Sequence, residues 1–237
     1  MMKIEHVSEN NAIVYLGNQI DVALTPKISL LVDYLWTLKA NAIVEVIPSY
    51  TSVLIQFRPQ QISFGQLQAA VLQYEQANRE TQPLNLTQSN HSKVIELPVY
   101  YSTEVGPDLK AIAKDKQLSL DQVVALHSEQ LYTVCAIGFA PGFAFLASVD
   151  ETIATPRHHA PRKKVPAGSV GIANSQTAVY PADSPGGWQI IGNCPSELFN
   201  PNKTPMSPFM VGDQVRFSPI SRKAFLEQGG EIWPHWK

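Results

Sequence analysis

The spacing of apolar residues along the first 80 positions predicts a small unit of two helices and three strands. On the first helix, apolar side chains recur at the i, i+3, i+4 and i+7 spacing of one buried face, which includes Trp36. The order β-α-β-β-α is typical of a split βαβ, ferredoxin-like layer. The predicted elements are a strand at 12–16, a helix at 26–38, a hairpin of 43–47 with 52–57, and a helix around 64–74.

Residues 78–93 are polar and aperiodic, which predicts a linker. We therefore expect an N-terminal domain with its linker at 1–90 and a C-terminal domain at 91–237. In the C-terminal part, short apolar segments alternate with turn signals. Ser119 and Gln122 have the spacing of a capping box at the start of a helix. The other predicted elements are a strand at 94–101, a short helix from 109, a buried strand at 131–139 and a strand at 214–220.

The stretch 138–195 contains short apolar runs separated by Pro and Gly clusters, which predicts short strands and tight turns. Its charged and aromatic side chains occupy proline-bracketed loops or the ends of those strands. Loops held by a rigid β scaffold are where binding and catalytic groups concentrate. We therefore expect the functional site in this stretch.

Composition narrows the class of protein. The chain has 237 residues, 44% of them hydrophobic and 16% charged, with a formal net charge of −2. These values are typical of a globular protein and argue against nucleic-acid binding, which usually requires a basic surface. The sequence contains no apolar run of about 18 residues, the length that a membrane-spanning helix requires. Its N-terminus also lacks the pattern of a secretory signal. Two cysteines, Cys135 and Cys194, make no disulfide framework, so we expect a cytoplasmic protein.

Three local motifs suggest chemistry that their context does not support. His158 and His159 are adjacent and point opposite ways on an extended loop, without further ligands at zinc spacing, so no metal site is predicted. Ser169 lies in Gly-Ser-Val-Gly, which lacks the spacing of a nucleophile elbow. The segment 185–187, Pro-Gly-Gly, is not a phosphate loop because no Gly-Lys-Ser/Thr follows. We expect a turn there, in which Gly187 adopts a positive φ.

The sequence leaves two interpretations, one functional and one structural, for each candidate site residue. Arg157 and Arg162 either bind an anionic group, for which a guanidinium is well shaped, or belong to a solvated basic loop. His127 lies on an apolar helix face, where it is either a satisfied core histidine or a catalytic group. Gln176 and Tyr180 share one face of a strand and either line a polar pocket or belong to the core, as does Trp188. Our assignment is catalytic for His127, Gln176 and Tyr180, and substrate-binding for Arg157, Arg162, Ser169 and Trp188.

A series of ordered motifs covers nearly all of 94–220 and resembles the KipI family, whose members are also called 5-oxoprolinase B subunits or allophanate hydrolase subunit 1. One departure is Asn193-Cys194, where the family commonly has Arg-Thr. The matching motifs are GPDL (106–109), LHS (126–128), GFAPGFAFL (138–146), TPR and APR (155–162), VPAGSVGIA (165–173), QTAVYP (176–181), SPGGWQIIG (184–192) and GDQVRF (212–217).

The resemblance implies an α+β protein in which a small ferredoxin-like domain precedes a cyclophilin-like β-barrel. It further implies one component of a bacterial cytoplasmic complex, with a KipA-like partner and a LamB/YcsF-like partner, that opens 5-oxoproline to L-glutamate at the expense of ATP. The chain has no nucleotide motif, so we expect ATP to bind outside it. The alternatives are an inhibitor of a sensor histidine kinase and a component of an enzyme for another small amide, such as urea or allophanate.

Overall fold

The computed structural model describes residues 2–38, 41–79, 93–233 and 236. They form two compact units, one within 1–92 and one within 93–237, and each is described here by itself. Most of the segment predicted as a linker, 78–93, lies outside the described residues. The predicted α+β class is confirmed, since both units combine strands with helices.

The N-terminal unit has one strand more than the sequence predicted. Its elements are β1 (Lys3–Ser8), β2 (Asn11–Tyr15), α1 (Thr25–Thr37, after a 3-10 turn at Val22–Leu24), β3 (Ile43–Pro48), β4 (Ser52–Phe57) and α2 (Phe64–Arg79). The sheet order is β1-β2-β4-β3, and all neighbours are antiparallel. In this order β2, α1, β3, β4 and α2 form the split βαβ arrangement. The added strand β1 takes the edge position of a fourth strand, but it reaches that edge through a hairpin with β2.

Alternation along the strands places one face of this sheet against both helices. Buried residues of α1 and α2 meet those of the strands in a single core. Trp36 was predicted on the buried face of α1, but it is 52% exposed, because the helix packs through Ile28, Leu31 and Leu35 instead. The core residues common to sheet and helices are Ala12, Val14, Ile28, Leu31, Leu35, Val46, Val53, Ile55, Phe57, Leu67 and Val71.

The C-terminal unit is built around a seven-stranded sheet in the order β12-β9-β10-β7-β6-β13-β5, with β8 and β11 paired separately. Its elements are β5 (Val94–Val99), α3 (Leu109–Asp115), α4 (Leu120–Ser128), β6 (Leu131–Ile137), β7 (Ala144–Ala147), β8 (Arg162–Val165), β9 (Ser169–Ala173), β10 (Gln176–Val179), β11 (Ser184–Gly186), β12 (Gln189–Asn193), β13 (Gln214–Pro219) and α5 (Arg222–Glu227). Ser119 and Gln122 form the predicted capping box at the start of α4.

The two edge strands of this sheet meet and nearly close it into a barrel, as predicted. Closure occurs just beyond β5, where Tyr100 and Asn193 exchange backbone hydrogen bonds of 2.9 and 3.0 Å. A closed sheet has no unpaired edge, so its backbone groups are satisfied internally. In the described parts of the chain, no helix combines the length and the apolar character that crossing a membrane requires.

His127 of α4 is fully buried and joins the helix to the barrel wall. Its Nδ1 lies 2.7 Å from the Tyr101 hydroxyl, and its Nε2 lies 2.9 Å from Thr177 Oγ1 on β10. Thr177 donates its only hydroxyl proton to the Gly171 carbonyl at 3.0 Å. Thr177 must therefore accept from Nε2–H, and Nδ1 must accept from Tyr101. The bond that Nδ1 accepts requires a neutral imidazole, because both ring nitrogens carry a proton in the charged form.

Two glycines of the C-terminal unit differ in what they require of the backbone. Gly168 has a φ of +78°, and a Cβ there would overlap the Cys194 carbonyl oxygen. Gly187, which was predicted to adopt a positive φ, does not do so, and a Cβ would lie 3.5 Å from the nearest atom, the His158 carbonyl oxygen. The turn at 185–187 is instead partly strand, because β11 pairs with β8. The conformational requirement lies at Gly168, beside the barrel closure.

His127 makes the stability of the C-terminal unit depend on pH. Burial lowers the pKa of its imidazole from 6.5 to about 3 in the folded chain, so the unfolded chain takes up the proton first as the pH falls. The contribution of neutral His127 to the free energy of unfolding is therefore complete above pH 6.5. It is lost as the pH falls towards 3, by up to about 1.4 kcal/mol per pH unit. Urea unfolding between about pH 7 and pH 5 measures this slope. His127→Gln should flatten it by one proton, and equal slopes would contradict the assignment.

Gly168→Ala should lower the free energy of unfolding by about 2 kcal/mol or more, because the left-handed backbone and the overlap both oppose a side chain. The midpoint of the thermal transition of the C-terminal unit should fall by roughly 5 °C in calorimetry. Gly187→Ala is the matched control and should change the midpoint little. Equal effects of the two substitutions would show that the difference in backbone conformation does not matter.

Candidate functional site

A cleft of about 200 Å³ opens on the outer face of the barrel, and we call it the aromatic cleft. Its lining combines aromatic rings with a single charged side chain and a glycine-rich edge. The lining residues are Phe139, Phe143, Phe145, Arg157, Tyr180, Pro185, Gly186, Gly187 and Trp188. Three of the seven residues predicted for the site, Arg157, Tyr180 and Trp188, therefore meet in one place.

Phe143 lies at the base of the cleft and is buried. Its ring makes edge-to-face contacts with Tyr180 and Trp188, with centroids 5.5 and 5.7 Å apart and interplanar angles of 86° and 90°. Phe145 lies 4.9 Å from it on another side. Aromatic rings prefer this edge-to-face geometry, so the walls of the cleft stabilise one another without a ligand.

Phe139 covers one side of the cleft opening and is 67% exposed. Its φ of +72° is unusual for a bulky residue and directs the ring towards Phe143, 5.1 Å away. The tight turn that carries it is closed by hydrogen bonds between 138 and 143 and uses Gly142 at a φ of +80°. An exposed aromatic ring beside a cleft provides apolar surface for a flat ligand.

Arg157 supplies the positive charge of the cleft. Its guanidinium lies 5.6 Å from the ring centroid of Trp188, within the range of a cation–π contact. Among the described residues no carboxylate lies within 4 Å of it. This guanidinium is therefore available for an anion from solution.

Tyr180 supplies a hydroxyl at the glycine edge of the cleft. A Cβ on Gly186 would overlap this hydroxyl, so the glycine leaves room for it. Burial raises the pKa of Tyr180 to about 12, although the Trp188 backbone amide and the two nearby arginines act in the opposite direction. The phenol is therefore neutral near pH 7 and can donate a hydrogen bond to a ligand.

Arg162, predicted to bind substrate, is held by a buried carboxylate instead. Its Nη1 and Nη2 donate to Oδ2 and Oδ1 of Asp108 at 2.9 and 2.8 Å. Asp108 precedes α3 in the position of a helix cap, yet its side chain makes no capping bond. Because both of its Nη groups donate to this buried carboxylate, we assign Arg162 a structural role.

The other predicted site residues lie outside the aromatic cleft. His127 and Ser169 are fully buried, and neither lines the cleft. Gln176 shares a strand face with Tyr180 as predicted, but it lies at the opposite end of β10, about 13 Å away at ordinary strand spacing.

Asn193, which stands where the family commonly has arginine, supports the barrel closure. It is buried, and its side-chain amide donates to the Ala167 carbonyl at 2.9 Å. Its backbone makes the closing bonds with Tyr100. Asn193 does not line the aromatic cleft.

The sequence analysis missed Asp108 and the three phenylalanines of the cleft. Asp108 resembled an ordinary helix cap, because the segment Gly106-Pro107-Asp108 precedes a short helix. The phenylalanines of 138–146 were treated as apolar residues of a strand and a turn. The occurrence of three Phe within nine residues is the signal that could have identified them. A short strand in a Gly- and Pro-rich segment does not need that many large aromatic side chains for its own packing.

A second hollow of about 370 Å³ lies beside the barrel closure and is more acidic. Two of its three carboxylates, Asp183 and Glu197, already pair with Lys164 and Lys203 at 2.7 Å each. In the described parts of the chain, no group of three or more His, Cys, Asp or Glu side chains is placed to hold a metal ion. The aromatic cleft thus has the more specific chemistry, with one unpaired cation, one neutral hydroxyl and several ring faces.

Comparison with known proteins places this chain in a family. Residues 2–209 match the profile of the carboxyltransferase domain, subdomain C and D. The 5-oxoprolinase B subunit of Bacillus subtilis is 34% identical over 227 residues, which cover 94% of this chain and 95% of the relative. The 5-oxoprolinase B subunit of Escherichia coli O157:H7 is 40% identical over 178 residues, covering 75% of this chain and 78% of the relative.

Solved structures show the same fold. The crystal structure of TTHA0988 matches with a TM-score of 0.75 and 29% identity, over 93% of this chain but only 40% of that longer one. The conserved uncharacterized protein PH0987 from Pyrococcus horikoshii is 37% identical with a TM-score of 0.55, over 94% of this chain and all of that one. The profile match and the relatives together confirm the resemblance drawn from the motifs, and this chain, which matches the carboxyltransferase C and D profile, belongs to the family of 5-oxoprolinase B subunits.

Proposed function

We propose that this chain is the B subunit of an ATP-dependent 5-oxoprolinase-type complex and that its aromatic cleft binds 5-oxoproline. The observation that carries the proposal is the guanidinium of Arg157, which pairs with no described carboxylate, at the edge of a small aromatic cleft. The substrate has the complementary parts, which are a flat five-membered lactam ring and one carboxylate. The names of the B. subtilis and E. coli relatives support the same reaction.

The size of the cleft favours a ligand of this kind. Drug-sized ligands occupy pockets of roughly 300–1,000 Å³, so a cleft of about 200 Å³ suits a smaller molecule. A nucleotide exceeds this space, which supports our assignment of ATP to another part of the complex. Urea or allophanate would also fit by size, but urea carries no carboxylate for Arg157.

Each polar group of the cleft has a defined part in the proposal. Arg157 binds the carboxylate with charge-assisted hydrogen bonds, and the rings of Trp188 and Phe139 contact the faces of the lactam. Tyr180, which is neutral near pH 7, donates to the lactam oxygen and stabilises negative charge that develops there. These contacts hold the ring in one orientation for attack at its carbonyl.

Assembly with partner proteins supplies what this cleft does not contain. None of the residues that line it is a carboxylate, a histidine or a lysine, so it offers no ordinary general base. A lactam is also a poor electrophile because of amide resonance, which is why ring opening requires activation by ATP. We assign activation and the attack of water to a site completed by a KipA-like partner and a LamB/YcsF-like partner.

Arg157→Ala should weaken binding of 5-oxoproline by about 10- to 100-fold, because hydrogen bonds between charged groups contribute roughly 1.5–3 kcal/mol. Isothermal titration calorimetry measures the affinity, and the fluorescence of Trp188 in the cleft provides a second signal. The thermal midpoint should stay unchanged, since Arg157 is exposed. Lys163→Ala, an exposed position on the following strand β8 and outside the cleft, is the control, and equal losses in both variants would indicate a general charge effect.

Glutamate formation from 5-oxoproline and ATP should require this chain together with the KipA-like and LamB/YcsF-like partners. Arg157→Ala should reduce turnover in the reconstituted complex, chiefly by raising KM, since the lost contact binds the ground state and the transition state alike. Measured release of glutamate, with and without this chain, tests the assignment. If the assembled complex shows no turnover, urea is the next substrate to test, followed by autophosphorylation of a sensor histidine kinase in the presence of this chain.

A further inference from the structure

The carboxylate of Asp108 accepts three hydrogen bonds in a place that solvent barely reaches. It is 5% exposed and accepts both guanidinium bonds from Arg162. The Ile190 backbone amide donates to Oδ2 at 2.7 Å, and His158 Nε2 lies 3.2 Å from Oδ1. A buried carboxylate with this many donors holds its partners in defined positions.

These neighbours of Asp108 come from segments that are distant in sequence. Arg162 begins β8, and His158 lies in the loop before it, whereas Ile190 belongs to β12, which directly follows Trp188 of the cleft. The backbone amide of Asp108 also donates to the Ile190 carbonyl at 3.0 Å. Asp108 thus connects the start of α3 to both segments that border the aromatic cleft on this side.

The loop that carries Arg157 is attached on both sides of that residue. The backbone amide of His158 donates to the Gly187 carbonyl at 2.7 Å, and the Gln189 side chain donates to the Pro156 carbonyl at 2.8 Å. Arg157 therefore has little backbone freedom while the segment 158–162 remains attached to Asp108. This attachment places the Arg157 guanidinium 5.6 Å from the ring centroid of Trp188.

We propose that Asp108 is a positioning residue for recognition of the substrate carboxylate, although it lies outside the cleft. It fixes the segment 158–162 against β12, and this holds the Arg157 guanidinium at the cleft. The inference rests on the proposed function, because it assumes that Arg157 binds a carboxylate.

Asp108→Asn keeps the shape of the side chain but removes its charge and confronts Arg162 with an amide. It should weaken 5-oxoproline binding by about tenfold, the effect of losing a well-oriented charge-assisted contact. Binding of 2-pyrrolidinone, the same lactam without the carboxylate, should change by less than about twofold, because Arg157 does not contact it. NMR titrations measure both affinities. Asp115→Asn, an exposed position at the end of the same helix, is the matched control.

A double-mutant cycle separates positioning from a general structural role. If Asp108 acts through Arg157, the variant with both Asp108→Asn and Arg157→Ala should bind 5-oxoproline as weakly as Arg157→Ala alone. Additive losses, or equal losses for the two lactams, would overturn the inference. No effect of Arg157→Ala by itself would instead overturn the proposed function.

A measurement on the ligand-free protein tests the inference independently of the binding experiments. The heteronuclear NOE of the Arg157 backbone amide and of its Nε–H should fall in Asp108→Asn, because the segment loses its attachment. Arg162→Lys is the second variant should Asp108→Asn fail to fold, since lysine keeps the charge but not the two-pronged geometry. Unchanged Arg157 order in a folded variant would assign Asp108 a purely structural role.

Discussion

The ion pair between Asp108 and Arg162 is the interaction on which the functional face of the barrel depends. Both side chains are largely removed from water, so each needs the other, and breaking such a pair by removing one partner typically costs about 3–5 kcal/mol. The additional bond from the Ile190 amide attaches the pair to β12. A loop rich in basic residues, which would otherwise be solvated and mobile, thereby becomes a fixed border of the aromatic cleft.

Separating the two arginines by environment gives them different roles. Arg162 uses its charge on a buried carboxylate, while Arg157, five residues earlier, keeps its guanidinium against Trp188. The same division applies to the polar side chains of β10. Thr177 points into the barrel and joins His127, whereas Tyr180, just beyond the strand, points outward to the cleft. The strand alternation thus separates the Thr177–His127 network inside the barrel from the aromatic cleft outside it.

The cleft as a whole is suited to binding and orientation more than to complete catalysis. It has rings, a cation and a neutral hydroxyl, but its lining lacks a group that would accept a proton near neutral pH. This composition agrees with a protein that presents a small lactam to chemistry assembled from partner chains. It also agrees with the relatives, whose names describe one component of a larger enzyme.

The sequence by itself determined the helices with clear apolar periodicity, the β-β hairpin and the capping box at Ser119, because these depend on neighbours within a few residues. The family motifs additionally predicted the β-barrel of the C-terminal unit. The edge strand β1 was not predicted, because its mostly polar, exposed residues show little alternation of apolar and polar positions. Only the tertiary structure decided that His127 and Ser169 are buried, that Arg162 belongs to Asp108, and that the phenylalanines meet Arg157. Those outcomes depend on which distant strands pair and which face each side chain takes, and local spacing does not encode either.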